Sequence, residues 1–365
     1  MRIKNISVKN FRNYPELNLQ ITSDMVVFSG PNAVGKTNLL ESIYFSSLFK
    51  SFRDDAEFIF LQGADNAEIK VTLERGGEVH TMEIYLEKKE KIYANFKIDG
   101  VKKKRKEAQG FINVVIFEPT DVDMFTRNPE VRRKYLNMVL SQKSPAHLEN
   151  LGSYKKILLQ KNRLLQDLKQ NERLVGGDLD SWNKQLAEVG SNIIAERRKF
   201  VNFLNQHIAD VYATISKFQR PIEVAYDSLS GETEAEIYER FMEQINLLTP
   251  REQAVGLSLV GPHRDDFSLK SEGLYLAPFS SRGEQRSQVL SLKILELEYL
   301  SHGEDKPILL LDDVLSELDE TRRTFLLKYL QGKFQTLITT TNPLEMAGQH
   351  VTLTPYNQSE DNRPV

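Results

Sequence analysis

Eight consecutive residues near the start of the chain have the types and spacing needed to hold a polyphosphate. Residues 30–37 read GPNAVGKT and match the pattern G-x-x-x-x-G-K-[ST] at every fixed position. In such a loop the backbone N–H groups and the next helix N-terminus face the phosphates, the lysine reaches the terminal phosphate groups, and the threonine hydroxyl reaches Mg²⁺. The residues expected to surround the ligand are Gly30, Pro31, Asn32, Ala33, Val34, Gly35, Lys36, Thr37 and Asn38.

A second group of candidate residues follows a hydrophobic strand pattern towards the carboxyl end. The segment KPILLLDDV contains Asp312 and Asp313. Either carboxylate could simply cap a turn. Together with a phosphate loop, Asp312 is expected to hold Mg²⁺, directly or through water, and Asp313 to orient or deprotonate the attacking water. Lys36, Asp312 and Asp313 are the predicted catalytic residues, and Thr37 and Asp312 are the predicted Mg²⁺ ligands.

The stretch FSSRGEQRSQVLSLKIL (residues 279–295) predicts a long amphipathic helix with accessible N-terminal amides. Ser281 can cap this helix by accepting an N–H of the first turn, which is an ordinary structural role. Gly283 leaves the N–H groups of the first turn clear of a side chain.

Strand and helix patterns alternate around these sites, with a long helical stretch between them. MVVFS precedes the phosphate loop, a helix pattern follows it, and PILLL precedes the two aspartates. This order predicts an α/β nucleotide-binding core interrupted by a helical lobe. The expected parts are the core's N-terminal part at 1–120, the helical insertion at 121–250 and the core's C-terminal part at 251–365.

The helical insertion is predicted from hydrophobic periodicity. Leu151, Leu158 and Leu165 recur at intervals of seven residues, and Trp182 and Leu186 begin a second stripe. Two long antiparallel helices that form a short arm are therefore expected.

Composition excludes several classes of protein. The chain has 365 residues, six scattered histidines and no cysteine, so disulfides, thiolate metal sites and a zinc site are not expected. It contains no long apolar run and no basic-then-apolar leader, so we expect neither a membrane span nor a secretion signal. A cytoplasmic location is the expectation.

Any contact with nucleic acid must come from a local basic surface, because the net charge is −3. The best candidate follows an Asp-Gly hairpin turn and consists of Lys102, Lys103, Lys104, Arg105 and Lys106. Such a cluster can neutralise several phosphates and give salt-sensitive binding, or it can be a strand edge that lysines protect from aggregation. No aromatic-rich platform for single strands is evident, so contact with a duplex or junction backbone is expected.

The order of these motifs resembles that of the ABC-type ATPase superfamily. SSRGEQ is similar to its signature motif, with Ser281, Gly283 and Glu284 in the serine, second-glycine and glutamine places and Arg282 in the place of the first glycine. SELD, from Ser316 to Asp319, resembles the D-loop. The resemblance implies an ABC-type ATPase head and an ATP-dependent, head-to-tail homodimer, in which one subunit's signature helix faces ATP held by the other subunit's phosphate loop.

A narrower resemblance covers nearly the whole chain. NFRNY, GPNAVGKTNLLE, KSFR, GPHRDD, GEQR and LLLDDVLSELD are similar to the motifs of the RecF family of bacterial recombination-repair ATPases. The resemblance implies ATP and Mg²⁺ as cofactors and DNA, single-stranded DNA included, as a partner. It also implies slow, DNA-stimulated hydrolysis, action with RecR and RecO in loading RecA on gapped DNA, support of the SOS response, and association with the nucleoid.

Three details of this resemblance leave alternatives open. Arg12 in NFRNY would approach the nucleotide phosphates, or it is a surface charge at a hairpin. Ala33 stands where many related ATPases have glycine, and alanine costs little there only if the local φ is negative. TTTNPLE lacks the histidine that often senses the γ-phosphate, so Thr340 or Thr341 could stand in its place.

GPHRDD, at 261–266, also has two interpretations. It is a turn held by an Arg–Asp pair, or it transmits the nucleotide state through His263 or Arg264. For the whole chain, the alternatives are a structural head ATPase of the chromosome-maintenance type, a transporter ATPase subunit and a scaffold that does not hydrolyse ATP.

Overall fold

The computed structural model describes residues 1–53, 56–170, 179–216, 221–341 and 346–354, except for the side chains of residues 56 and 57. The chain divides into two compact units. Unit 1 consists of residues 1–122 and 286–365, and unit 2 consists of residues 123–285.

Unit 1 contains a six-stranded antiparallel sheet. Its strands are β1 (Arg2–Phe11), β2 (Tyr14–Gln20), β4 (Asn66–Arg75), β5 (Glu78–Lys88), β6 (Ile92–Ile98) and β7 (Val101–Lys103). They are arranged in the order β2-β1-β4-β5-β6-β7. Asp99 and Gly100 both have positive φ, 52° and 75°, as a two-residue hairpin turn requires. The Asp-Gly hairpin turn expected before the basic cluster is confirmed.

The second sheet of unit 1 is parallel. Its strands are β3 (Met25–Ser29), β8 (Val114–Phe117), β12 (Ile308–Asp312), β13 (Thr336–Thr340) and β14 (Gln349–Thr352), in the order β14-β3-β13-β12-β8. β8, β12 and β13 are buried at every position, as expected of parallel strands covered on both faces. Because all five strands run in the same direction, the carboxyl ends of β3, β12 and β13 lie at one edge of the sheet.

Helices complete unit 1. They are α1 (Lys36–Leu48), the short α2 (Arg105–Ala108), α8 (Glu320–Leu330) and the part of α7 (Arg282–Leu300) from residue 286 onwards. α1 directly follows the phosphate loop, and eleven of its residues are buried. The predicted order of strand, loop and helix around residues 25–48 is confirmed.

Unit 2 is mostly helical. It contains α3 (Pro129–Lys143), α4 (Pro145–Gln170), α5 (Leu179–Ser216) and α6 (Glu234–Val255), together with β9 (Glu223–Asp227), β10 (Asp266–Ser271) and β11 (Leu274–Tyr275). α4, α5 and α6 pack around a core that includes Tyr154, Leu186, Ile193, Phe241 and Ile245. The predicted pair of long helices is therefore present as α4 and α5. Residues 171–178, between these two helices, lie outside the described residues.

The second boundary of unit 2 differs from the expected one. Residue 250 lies inside α6, which continues through Pro250 to Val255. β10 pairs with β9 in antiparallel register, so residues 266–271 fold with the helices and not with the core. Unit 2 consequently extends to Gln285.

The GPHRDD segment is held by ion pairs within unit 2. Asp265 pairs with Arg197 at 3.1 Å, and Asp266 pairs with Arg132 at 2.6 Å. Arg264 donates instead to the Ser258 carbonyl at 3.0 Å. The segment is thus a turn held by Arg–Asp pairs. The arginines of these pairs belong to α3 and α5, which are distant from the segment in sequence.

No helix in the described part of the chain is both long and apolar enough to cross a bilayer.

Candidate nucleotide-binding site

The phosphate loop connects β3 to α1 in unit 1. Gly35 is the N-cap residue of α1, with φ at 112°, and no side chain caps the helix there. The first-turn N–H groups of α1 are therefore not satisfied by a capping side chain, which suits a helix end that receives an anion.

Two glycines of this loop have no room for a side chain. A Cβ added to Gly35 would lie 2.6 Å from the Tyr14 hydroxyl and 2.7 Å from the Asn13 amide. A Cβ added to Gly30 would lie 2.6 Å from the Leu353 carbonyl oxygen. Close approach of the neighbouring chain therefore requires glycine at both positions.

Ala33 adopts a left-handed conformation, with φ at 66°. Alanine would cost little here only if φ were negative, and that condition is not met. A left-handed conformation costs an L-residue about 1–2 kcal/mol, so the loop is strained at this residue.

Ala33→Gly is expected to raise the free energy of unfolding by about 0.5–1 kcal/mol. The relieved strain exceeds the extra entropy that glycine gives the unfolded chain, about 0.4–1 kcal/mol. Urea denaturation would measure the change. Ala94→Gly is the matched control, because Ala94 lies within β6 and is not among the residues with positive φ; that change should destabilise the protein. Equal destabilisation by both changes would contradict the argument.

Lys36 and Thr37 begin α1, and both side chains are held in place. The Lys36 ammonium donates to the carbonyl oxygens of Gly30 and Pro31 at 2.7 and 2.9 Å. The Thr37 hydroxyl donates to a carboxylate oxygen of Asp312 at 2.9 Å. A hydroxyl and a carboxylate from two distant segments thus meet, and oxygen ligands of this kind suit Mg²⁺. The residues present fit the predicted metal.

Thr339 is a site residue that the sequence did not single out. It lies opposite Asp312 in the parallel pairing of β12 and β13. Its hydroxyl donates to Asp312 at 2.7 Å and accepts the backbone N–H of Asp313 at 3.0 Å. Thr340 is buried and Thr341 is exposed. The sequence alone could not show which of three consecutive threonines contacts Asp312. The register of β12 and β13 places the first of them, Thr339, opposite it.

Thr339→Val is expected to lower the rate of ATP hydrolysis about 10- to 100-fold, the effect typical of losing a partner that orients a metal ligand. Both hydrogen bonds to the two aspartates would be lost while the side-chain volume is nearly kept. Steady-state turnover and nucleotide binding should be measured together, with Thr339→Ser as the control that keeps the hydroxyl. A serine variant as slow as the valine variant would show that packing, not the hydroxyl, matters.

Asp313 has the surroundings of a reactive carboxylate. Its backbone is left-handed, with φ at 53°. Burial is the main cause that raises the pKa of Asp313, and the Ser316 hydroxyl and Lys36 oppose it. Among the described residues its Oδ1 atom has no hydrogen-bond partner. Ser316 also donates to the Asp313 carbonyl at 2.7 Å, which fixes the turn.

The other D-loop residue, Asp319, is the N-cap of α8. It accepts the N–H of Arg322 at 2.9 Å and pairs with the Arg322 guanidinium. The segment that resembles a D-loop is thus an ordered turn between β12 and α8.

Arg12 is largely shielded from solvent beside the phosphate loop and is not a solvated surface charge. Its side chain is 11% exposed, and it donates to both carboxylate oxygens of the fully buried Glu41 at 2.8 and 2.5 Å. Its remaining nitrogen donates to the Phe58 carbonyl at 2.7 Å. The strong pair with Glu41 fixes the turn between β1 and β2 against α1.

The same turn contacts the phosphate loop directly. Asn13 donates to the Val34 carbonyl at 3.0 Å and accepts from Asn38 at 2.8 Å, while Arg53 donates to Asn38 at 3.0 Å. A cleft of about 490 Å³ lies next to these hydrogen bonds, and its lining includes Arg12, Asn13, Asn38 and Arg53.

The signature segment belongs to unit 2 up to Gln285. Ser281 and Glu284 cap the start of α7 reciprocally: the Ser281 hydroxyl accepts the Glu284 N–H at 3.3 Å, and the Glu284 carboxylate accepts the Ser281 N–H at 2.8 Å. Arg282 is 70% exposed and pairs with Asp123 at 2.5 Å. Gly283 lies within the first turn of α7.

The basic cluster spans three local structures. Lys102 and Lys103 are on β7, the edge strand of the antiparallel sheet. Lys104 is the N-cap of α2, and its N–H is accepted by Glu107 at 3.0 Å. Arg105 donates to the Phe49 carbonyl at 3.1 Å and lies 5.9 Å from the centre of the Phe49 ring. Lys106 is exposed. Arg105 therefore links α2 to Phe49.

Comparisons with known proteins agree on one family. The profile of the RecF/RecN/SMC N-terminal domain matches residues 2–361. The DNA replication and repair protein RecF of Bacillus thuringiensis (strain Al Hakam) is 37% identical over 350 residues, which are 94% of this chain and 92% of that protein. RecF of Bacillus cereus (strain B4264) is similar to the same extent.

Solved structures show the same relationship. The recombination mediator protein RecF with ATP, in the RecFOR pathway, has a TM-score of 0.89 at 31% identity and covers 96% of this chain and 95% of its own. RecF with ATPrS also has a TM-score of 0.89, at 30% identity, covering 97% and 96%. An SMC head bound to the C-winged helix domain of ScpA covers 96% and 94%, but its TM-score of 0.53 and 12% identity show a shared fold alone.

Proposed function

Because the chain belongs to the RecF/RecN/SMC N-terminal domain family, and within it to the RecF DNA replication and repair proteins, we propose that it is an ATP-switched DNA clamp. ATP joins two copies of the chain, the dimer grips DNA, and slow hydrolysis releases it. The observation that carries the proposal is the meeting of Thr37 and Asp312 beside the uncapped start of α1.

ATP binding is supported by the donors at the start of α1. The N–H groups of the first turn and the Lys36 ammonium supply positive charge at one place. Lys36 would leave the carbonyls of Gly30 and Pro31 for the terminal phosphates. Thr37 and Asp312 would hold Mg²⁺, which neutralises charge on the phosphates during phosphoryl transfer. Arg12 and Asn13 would keep the loop in shape for the ligand.

Hydrolysis is assigned to Asp313 as the residue that orients or deprotonates water. The Thr339 hydroxyl holds the Asp312 carboxylate and the Asp313 backbone in place through two hydrogen bonds. Asp313 has a raised pKa, and the motif set contains no second strong base, which supports a weak ATPase. Stimulation by DNA belongs to the same proposal.

The second half of the site would come from another copy of the chain. Ser281, Arg282, Gly283 and Glu284 would face ATP held by the partner, and Ser316 and Asp319 would lie at the same junction. Ser281 and Glu284 cap each other within one chain. Receipt of a γ-phosphate would therefore require Ser281 to exchange its Glu284 contact for the phosphate, which makes the helix end a switchable site.

DNA is the proposed macromolecular ligand. Lys102, Lys103, Lys104 and Lys106 would contact the phosphate backbone, while Arg105 would support the cluster through its Phe49 contact. The named RecFOR pathway of the structural relatives supports RecR and RecO as partners. Loading of RecA on gapped DNA, support of the SOS response and a cytoplasmic location at the nucleoid complete the proposal.

Light scattering with ATP and Mg²⁺ tests the clamp. Wild-type protein is expected to dimerise only with ATP, and Lys36→Arg is expected to stay monomeric. A mixture of Ser281→Arg and Asp312→Asn chains should recover part of the activity, because one of its two shared sites is intact. Dimerisation of Lys36→Arg equal to wild type, or no recovery in the mixture, would contradict the shared-site arrangement.

DNA binding across a salt series, with and without ATP, tests the second half of the proposal. Backbone contacts predict a steep decrease in affinity as salt rises, and the clamp predicts tighter binding with ATP. A flat salt response or no effect of ATP would exclude a clamp.

A further inference from the structure

The outer face of the antiparallel sheet in unit 1 presents two tyrosines to solvent. Side chains alternate between the two faces of a strand, and on β5 and β6 the inner face is buried, with Ile84 and Phe96 as examples. On the outer face Tyr85 is 38% exposed and Tyr93 is 54% exposed. A single exposed aromatic side chain is ordinary, but exposed rings that lie together on one face can mark a binding surface.

Strand pairing brings these tyrosines together. Tyr85 lies opposite Asn95, and Tyr93 lies opposite Glu87. The two tyrosines are therefore diagonal neighbours on adjacent strands, a relationship that separates side chains by about 7–8 Å and keeps aromatic rings within reach of each other. Two ring faces on neighbouring strands of an antiparallel sheet are the arrangement on which some RNA-binding sheets stack successive bases.

The charges around the tyrosines favour a polyanion. Glu83 is neutralised by Lys70 at 3.0 Å, and Glu87 is neutralised by Lys89 at 3.1 Å. Lys89 also lies 5.9 Å from the centre of the Tyr93 ring. Glu83 and Glu87 thus have cationic partners. Glu68, which lies directly opposite Tyr85 on β4, is exposed, and Lys9 of β1 lies opposite it on its other side.

Lys97 and Lys102 add positive charge at the edge of this face, next to Glu83, which lies opposite Lys97 on β5 and is already paired with Lys70. They lie directly opposite each other on β6 and β7, and both are exposed. Neither has an ion pair in the part of the chain that the structure describes. Like charges placed opposite each other destabilise a sheet, and a phosphate between them would remove that cost.

We propose that this face, defined by Tyr85, Tyr93, Asn95, Lys97 and Lys102, binds a single-stranded nucleic acid. Tyr85 and Tyr93 stack on two unpaired bases, and Lys97 and Lys102 contact the phosphates next to them. Asn95, beside Tyr85, offers an amide to a base edge. The site rests on the proposed DNA-binding function and deepens it, because it adds recognition of unpaired bases to the expected backbone contact.

The face was not visible in the sequence, where no aromatic-rich platform was evident. Tyr85 and Tyr93 are separated by the turn between β5 and β6, and only the pairing register places them side by side. A protein partner would also bury tyrosines, but the unpaired lysines at the sheet edge favour a polyanion over a mixed protein surface.

Fluorescence anisotropy with a labelled twenty-nucleotide oligo(dT) and with a duplex of equal length tests the site. Base stacking on an aromatic side chain predicts that Tyr85→Leu and Tyr93→Leu each weaken oligo(dT) binding about 5- to 150-fold. Duplex affinity should change less than about twofold, because the duplex offers no unpaired base. Phenylalanine at either position should restore binding. Tyr275→Leu is the matched control, since Tyr275 is 47% exposed on β11 of unit 2.

A second readout locates the contact independently of affinity. An oligonucleotide with 5-iodouracil, irradiated while bound to the full chain, should cross-link to Tyr85 or Tyr93, and the adduct can be mapped by mass spectrometry. Unchanged oligo(dT) binding by both leucine variants, with duplex binding retained, would overturn this site alone. Loss of affinity for a protein partner with unchanged oligo(dT) binding would also overturn it. Failure of the wild type to bind either DNA would overturn the proposed function as well.

Discussion

Lys161→Met is expected to destabilise unit 2 by about 3–5 kcal/mol, the cost of leaving a buried charge without its partner. Lys161 and Glu252 form an ion pair at 2.7 Å, and both side chains are fully buried. Glu252 also accepts the N–H of Leu259 at 2.7 Å and the Ser258 hydroxyl at 3.1 Å. Glu252 therefore connects α4, α6 and the segment that follows α6. Loss of Lys161 leaves the Glu252 carboxylate buried without its cation at the point where these three elements meet.

Urea denaturation of the full chain, followed by circular dichroism of the helices, measures this effect. Arg240→Met is the matched control, because Arg240 and Glu243 form an ion pair at 2.8 Å with 59% and 60% of their side chains exposed. An exposed pair contributes about 0–1 kcal/mol. The double variant Lys161→Met/Glu252→Gln should recover part of the loss, since no buried charge remains. A loss for Lys161→Met no greater than that for Arg240→Met would contradict the argument.

The sequence was sufficient for the features that depend on local pattern. Strands around the phosphate loop and before Asp312 are short apolar runs bounded by turn residues, and such runs can be recognised without knowledge of the rest of the chain. The long helices α4 and α5 were predictable because their hydrophobic spacing continues over many turns. The phosphate loop itself is a contiguous segment, so its residues and their spacing are visible together.

Features that depend on pairing between distant segments could not be predicted. Thr339 is one of three consecutive threonines, and only the register of β12 and β13 places it opposite Asp312. Asp265 and Asp266 pair with arginines of α5 and α3, although Arg264 is their neighbour in sequence. The conformation of Ala33 is a third example, since the positive φ is imposed by the loop and is not favoured by alanine.

Asp313→Asn is expected to slow ATP hydrolysis by about 10²–10⁴-fold, the usual contribution of a general base. Asparagine suits this test because it tolerates the left-handed conformation as well as aspartate does, and Asp313 has φ at 53°. The bond from the Ser316 hydroxyl is to the backbone carbonyl and would remain. The turn should therefore keep its shape while the carboxylate is lost.

The pH dependence of turnover is an independent test of Asp313 as the general base. Burial is the main cause that raises the pKa of Asp313, and the ionised form is the one that accepts a proton. The rate should therefore fall as pH is lowered through this raised pKa, and the decrease should begin at a higher pH than an exposed aspartate would give. Glu320→Gln, which changes an exposed acid in the first turn of α8, should leave the profile unchanged.

The lifetime of the dimer distinguishes a catalytic role of Asp313 from a purely structural role in the turn after β12. If Asp313 deprotonates water, Asp313→Asn should bind ATP, form the dimer and then hold it, because hydrolysis is the step that opens the clamp. DNA release after dilution should slow in parallel with turnover, and both can be measured on one sample by stopped-flow anisotropy and phosphate release. Wild-type turnover and wild-type release in this variant would leave Asp313 only the role of capping the turn after β12.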